Sequence, residues 1–146
     1  MPKKLKKEKL LGVFYTLIII FAIFIAYFFI LFSPELKKTL FPAVAVLGFI
    51  FSILGFILVW LTKKSNIKGK LRFFFMLTGA SAIGPFIAVL LHNFFYALGV
   101  YFEHITIVKN IMEALHVIFF LIAIPICPII FLISAIASII LFYKKN

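Results

Sequence analysis

The side chains able to ligate a metal or carry a proton are few: His92, His104, His116, Cys127 and the glutamates Glu8, Glu35, Glu103 and Glu113, with no aspartate anywhere. The sharpest spacing is Glu113-x-x-His116. On a helix it puts a carboxylate and an imidazole on one face, as in carboxylate-bridged di-metal bundles. Those bundles use two such motifs and further carboxylates. One copy here argues against a di-iron centre and leaves a single metal held by His92, Glu113 and His116, or a haem held by His92 and His116. Without aspartate there is no Ser–His–Asp triad, and hydrolysis by that route is disfavoured. The lone Cys127 excludes an intramolecular disulfide, and with it a thiol oxidoreductase built on paired cysteines.

Each candidate also has a plainer reading. His92 can be an interior ring hydrogen-bonded to a carbonyl or hydroxyl of a neighbouring helix, Glu113 with His116 an interfacial salt link, and Cys127 a packing residue. His104 and Glu103 fall on a polar connection, where water competes for them. Counted at about 1.5 Å per residue from the basic residues Arg72 and Lys144, His92 and His116 differ in height by about 12 Å. That mismatch weakens bis-histidine haem ligation.

The elements that must position these residues follow from composition. The 146 residues are 66% hydrophobic and 13% charged, against about half and a quarter in soluble domains. Charge-free stretches at 10–34, 39–62, 73–102 and 114–143 each exceed the ~20 residues that cross a bilayer as a helix. Continuous apolar runs without alternation favour helices over barrel strands. The expected fold is an all-α, integral membrane four-helix up-down bundle forming a single domain over 1–146. Its helices are expected at about 10–32, 40–62, 72–101 and 111–143, with a basic loop at 63–71. The first run is too long, and ends too bulkily at Phe28-Phe29-Ile30-Leu31-Phe32, for a cleaved signal sequence.

Twelve of the fifteen basic residues lie before Leu10, between the second and third helices, or after the fourth. Lys37, Lys38 and Lys109 occupy the other two connections. This positive-inside bias places both termini and the basic loop in the cytoplasm of a cell-membrane protein. The net charge of +11 suits anionic lipid headgroups. Nucleic acid is disfavoured as a partner, because the aromatics sit inside the spans and not among the lysines.

Within the spans, Ala45, Gly48, Ser52 and Gly55 share one face of helix two and invite close packing or a homo-oligomeric contact. Pro42 is expected in that helix's opening turn. Pro85 in helix three, and Pro125 and Pro128 in helix four, are expected to kink their helices. Thr78, Ser81, Pro85, Ala88, His92 and Tyr96 form a stripe at helical spacing. Glu113, His116, Phe120, Ala123, Cys127, Ile130 and Ser134 form another, and the two are expected to face each other in the interior.

The segments Thr78-Gly79-Ala80-Ser81, Gly84-Pro85, Leu91-His92-Asn93-Phe94-Phe95-Tyr96, Leu115-His116 and Pro125 to Pro128 resemble a pattern in small uncharacterised prokaryotic multi-pass membrane proteins. The resemblance spans roughly residues 71–143. It implies a helical membrane fold without an assigned activity, in which the second hairpin is the functional unit and the first an addition. The leading expectation is a small structural or accessory polytopic membrane protein that is no enzyme, alone or with a membrane-protein partner. The alternatives are a metal- or haem-binding subunit using His92 and His116, and an oligomeric carrier of small solutes or ions using the proline kinks.

Overall fold

The computed structural model describes residues 3–30 and 33–144, with side chains described from Glu8 onward. The side chains of Lys3, Lys4, Lys6 and Lys7, and the residues Leu31, Phe32 and Lys145, lie outside that description. The chain forms α1 (Lys3–Phe29), α2 (Pro34–Lys64), α3 (Gly69–Tyr101), α4 (Thr106–Leu121), a π-helical turn (Ile122–Ile126) and α5 (Cys127–Tyr143). The last three make one continuous span, so the molecule is an all-α bundle of four long apolar helices and a polytopic membrane protein.

The helices outrun the charge-free stretches at most ends, because lysine is a good helix former and charge does not stop a helix outside lipid. Helix α2 starts at Pro34. Ser33 caps it by accepting a hydrogen bond from the Leu36 amide at 3.2 Å, and the missing proline donor costs nothing at the first position. Pro42 therefore lies inside the helix and not in its opening turn. Helix α3 is entered through Gly69, whose φ of +67° a side chain would oppose.

The prolines act differently from one another. Helix α3 passes through Pro85 without interruption, whereas the fourth span breaks at Pro125 into the π turn. A π turn accommodates one extra residue and loosens the backbone ladder where proline has already removed a donor.

Helix α3 is the centre of the bundle, lying against α2 on one side and against α4, the π turn and α5 on the other. The α2 seam is close: a Cβ built on Gly55 would stand 2.7 Å from the Gly79 carbonyl oxygen, and one on Gly79 2.8 Å from that of Gly55. Ser52 donates to the Ala82 carbonyl at 3.4 Å along the same line. Helix α1 closes the remaining groove with Leu10, Phe14, Leu17 and Ile20, all buried. Its aromatic rings meet α3 at Phe14–Phe75 and α5 at Phe21–Phe131, while Phe51 of α2 also reaches Phe131.

The core is lopsided. Leu10, Phe14, Leu58, Leu71, Phe75, Phe131 and Ala135 all belong to the half nearer the basic loop, here the basic end. At the opposite, distal end, α4 contributes no buried residue. Lipid makes this tolerable, since exposing leucine or isoleucine to acyl chains carries no hydrophobic cost.

Candidate functional site

The two stripes meet. Thr78 and Ser134, both fully buried, join hydroxyl to hydroxyl at 3.0 Å between α3 and α5. About two turns on, the small residue Gly84 lets the Cys127 thiol approach so closely that a Cβ at position 84 would fall 2.5 Å from its sulfur. Cys127 is thus a packing group, buried against α3.

Further toward the distal end the stripes become aromatic. The His92 ring lies 5.0 Å from the His116 ring and 5.6 Å from Phe120, and His116 lies 5.7 Å from Tyr96. Phe95 and Phe119 stack beside them at 5.4 Å. The expected 12 Å height mismatch is therefore too large. Lys144 shares a cleft with Lys68 and Lys70, two to four residues before the Arg72 from which the count was taken. Counting from Lys68 or Lys70 instead leaves about four to six residues, or about 6–9 Å of rise, and the π turn absorbs one of them.

As placed here, the two rings touch each other and do not flank a planar group. His92 Nδ1 lies 2.9 Å from the His116 backbone carbonyl; a carbonyl only accepts, so this nitrogen carries the proton. The rings are tilted 47° to each other with centroids 5.0 Å apart, too close for a macrocycle between them in this arrangement. His116 Nδ1 is buried without a hydrogen-bond partner.

Among the described residues Glu113 forms no ion pair with either imidazole. It pairs with Lys109 at 3.7 Å, with both side chains about half exposed, so the expected link to His116 is replaced by one to the preceding turn. Such exposed pairs contribute little stability. Among the described residues no three His, Cys, Asp or Glu side chains converge as a metal site, so His92, Glu113 and His116 do not form one ligand set. His104 and Glu103 are exposed on the connection between α3 and α4.

What does form at the distal end is an open cleft of about 380 Å³ between α3 and α4, bordered by Tyr96, Glu103, Lys109, Glu113 and His116. It holds His116 and Glu113 but not His92, which lies deeper. The spacing of His116 and Glu113 pointed to this region. The salt link was missed because i, i+4 Lys109–Glu113 and i, i+3 Glu113–His116 compete for one carboxylate, and spacing alone does not rank them.

No protein-family model, curated protein or solved structure matches the chain.

Proposed function

We propose that this is a small structural or accessory membrane protein without catalysis of its own, inserted with both termini and the 63–71 loop in the cytoplasm. The observation that carries the reading is how the interior polar groups are used. Thr78 and Ser134 bond to each other, Ser81 donates to the Thr78 carbonyl at 3.0 Å, Ser52 to Ala82 and Thr62 to Leu58 at 2.7 Å. The Thr78–Ser134 and Ser52–Ala82 bonds fasten one helix to another, while the Ser81 and Thr62 hydroxyls are taken up by carbonyls of their own helices. A carrier of polar solutes needs such groups turned toward a lumen.

The orientation rests on the basic residues. Lys63, Lys64, Lys68, Lys70, Arg72 and Lys144 gather at one end of the bundle, and α1 brings the N-terminal lysine run to the same end through Phe14 and Phe75. A reporter fused to the C-terminus is expected to be active in the cytoplasm; export of that reporter overturns the orientation. A thermal-shift screen of the detergent-purified chain against ions and small solutes is expected to give no specific stabilisation. Saturable stabilisation by one solute overturns the accessory reading in favour of a carrier.

A second reading, a metal- or haem-binding subunit, draws on the partnerless His116 Nδ1 beside the His92 ring. A Soret band or stoichiometric metal in the purified protein, lost in His92→Ala, supports it; their absence ends it.

A further inference from the structure

Lys68, Lys70 and Lys144 border a cleft of about 250 Å³ at the basic end, between the start of α3 and the end of α5, whose apolar wall is Leu71 and Leu141. Among the described residues no carboxylate lies within ion-pair distance of these lysines. The neighbouring Lys64 is differently placed, its ammonium 4.0 Å over the Trp60 ring. The cleft also faces the first turn of α3, which has no side-chain cap and no acidic residue. Free amides and the positive end of the helix dipole thus add to the three ammoniums.

We propose that this cleft is a binding site for the phosphodiester headgroup of an anionic phospholipid. Three features select that occupant together. Three unpaired ammoniums favour a net negative headgroup over a zwitterionic one, whose own cation they would repel. The uncapped amides suit phosphate oxygens, which accept hydrogen bonds without carrying donors. Leu71, buried against the core, and Leu141 continue the cleft into apolar surface along which an acyl chain can lie, and a soluble phosphate has no use for that wall. Basic pockets between membrane helices recognise lipid headgroups on these terms.

The test uses the full chain in nanodiscs of phosphatidylcholine containing a minor fraction of phosphatidylglycerol, with retained lipid counted by native mass spectrometry. Both leaflets of a nanodisc carry the same lipids, so the result is independent of the orientation proposed above. Wild type is expected to retain phosphatidylglycerol selectively. Each lysine contributes about fivefold near a surface, so K68Q/K70Q/K144Q is expected to lower retention on the order of a hundredfold. K63Q/K64Q, at the same end but outside the cleft, is expected to change it by well under the roughly 25-fold that two surface lysines would give through diffuse attraction alone. Circular dichroism checks that each variant keeps its helices, and Lys70→Gln alone supplies a milder readout if the triple variant unfolds.

Equal retention by wild type and the triple variant overturns the site. Equal losses per lysine removed in the triple and control variants also overturn it, leaving diffuse attraction only. Displacement of phosphatidylglycerol by millimolar inorganic phosphate, with no advantage for the lipid, reassigns the cleft to a soluble anion.

Discussion

Exchanging Gly55 for alanine is expected to loosen the bundle, while the same exchange at Gly48, seven residues earlier on the same helix face, is expected to be neutral or stabilising. A methyl at position 55 would meet the Gly79 oxygen at 2.7 Å, the Ala82 Cβ at 3.0 Å and Ile83 at 3.1 Å. The nearest of these is backbone and cannot rotate aside. At Gly79 the nearest atom is the Val59 Cγ2 at 2.7 Å, with the backbone Gly55 oxygen at 2.8 Å and Val59 amide nitrogen at 3.2 Å just behind it. The hydrogen now standing in each methyl's place points at the opposing carbonyl, the arrangement of weak Cα–H···O contacts. Relief requires α2 and α3 to separate by about 0.5 Å, a gap that forfeits about a quarter of the dispersion attraction of the atoms lining it. Overpacking of this kind costs about 1–3 kcal/mol, against which alanine's helix propensity returns up to about 1 kcal/mol. At Gly48 nothing lies within 4 Å, so only the propensity gain remains. Because Gly55 and Gly79 share one seam, the second exchange is expected to cost less than the first, making the double variant sub-additive. Equilibrium unfolding in mixed micelles of rising sodium dodecyl sulfate fraction, followed by circular dichroism, measures these differences. Gly48→Ala costing as much as Gly55→Ala, or full additivity of Gly55→Ala with Gly79→Ala, would refute the reasoning.

Three further outcomes are expected. Gly84→Ala should destabilise by about 1–3 kcal/mol through its clash with the Cys127 sulfur, and adding Cys127→Ala should remove most of that cost, since the next atom in line is the Cys127 Cβ at 3.7 Å; no rescue in the same unfolding assay would show that the clash is relieved elsewhere. A double-mutant cycle of Thr78→Val with Ser134→Ala should report a coupling of about 0.6 kcal/mol, with about 1.7 as the upper end for membrane hydrogen bonds; zero coupling would mean that both hydroxyls are satisfied by their own helices. Glu113→Gln should leave stability within about 0.5 kcal/mol, because its partner Lys109 is an exposed neighbour one turn away; a larger loss in thermal unfolding would place the carboxylate against His116 after all.

Residue type and spacing were enough for the class of the protein. In lipid each span must satisfy its own backbone, so four long apolar stretches required four helices, and that conclusion did not depend on how they pack. Stripe periodicity likewise announced that Thr78 and Ser134 share an interior, because 3.6-residue spacing fixes which side chains leave one face together. Helix ends were less legible: Ser33 and Pro34 start α2 ahead of the charge-free stretch through a local cap, and charge alone carries no such signal.

Register is what only the tertiary structure decided. Whether His92 meets His116 depends on the relative height of two helices, which is set jointly by the Gly84–Cys127 approach, the extra residue at the π turn and the level of Lys144 beside Lys68. Only the π turn at Pro125 is local to one segment; the other two depend on how the segments meet. The same holds for the small face of α2. Ala45, Gly48, Ser52 and Gly55 look equivalent in sequence, yet Ser52 and Gly55 lie in the α3 seam and Gly48 meets nothing. Composition fixes that helices form and which faces are small, because those follow from each residue's own solvation and geometry. Which small residue becomes a contact, and which histidine a neighbour, follows from how two rigid surfaces slide to their closest fit.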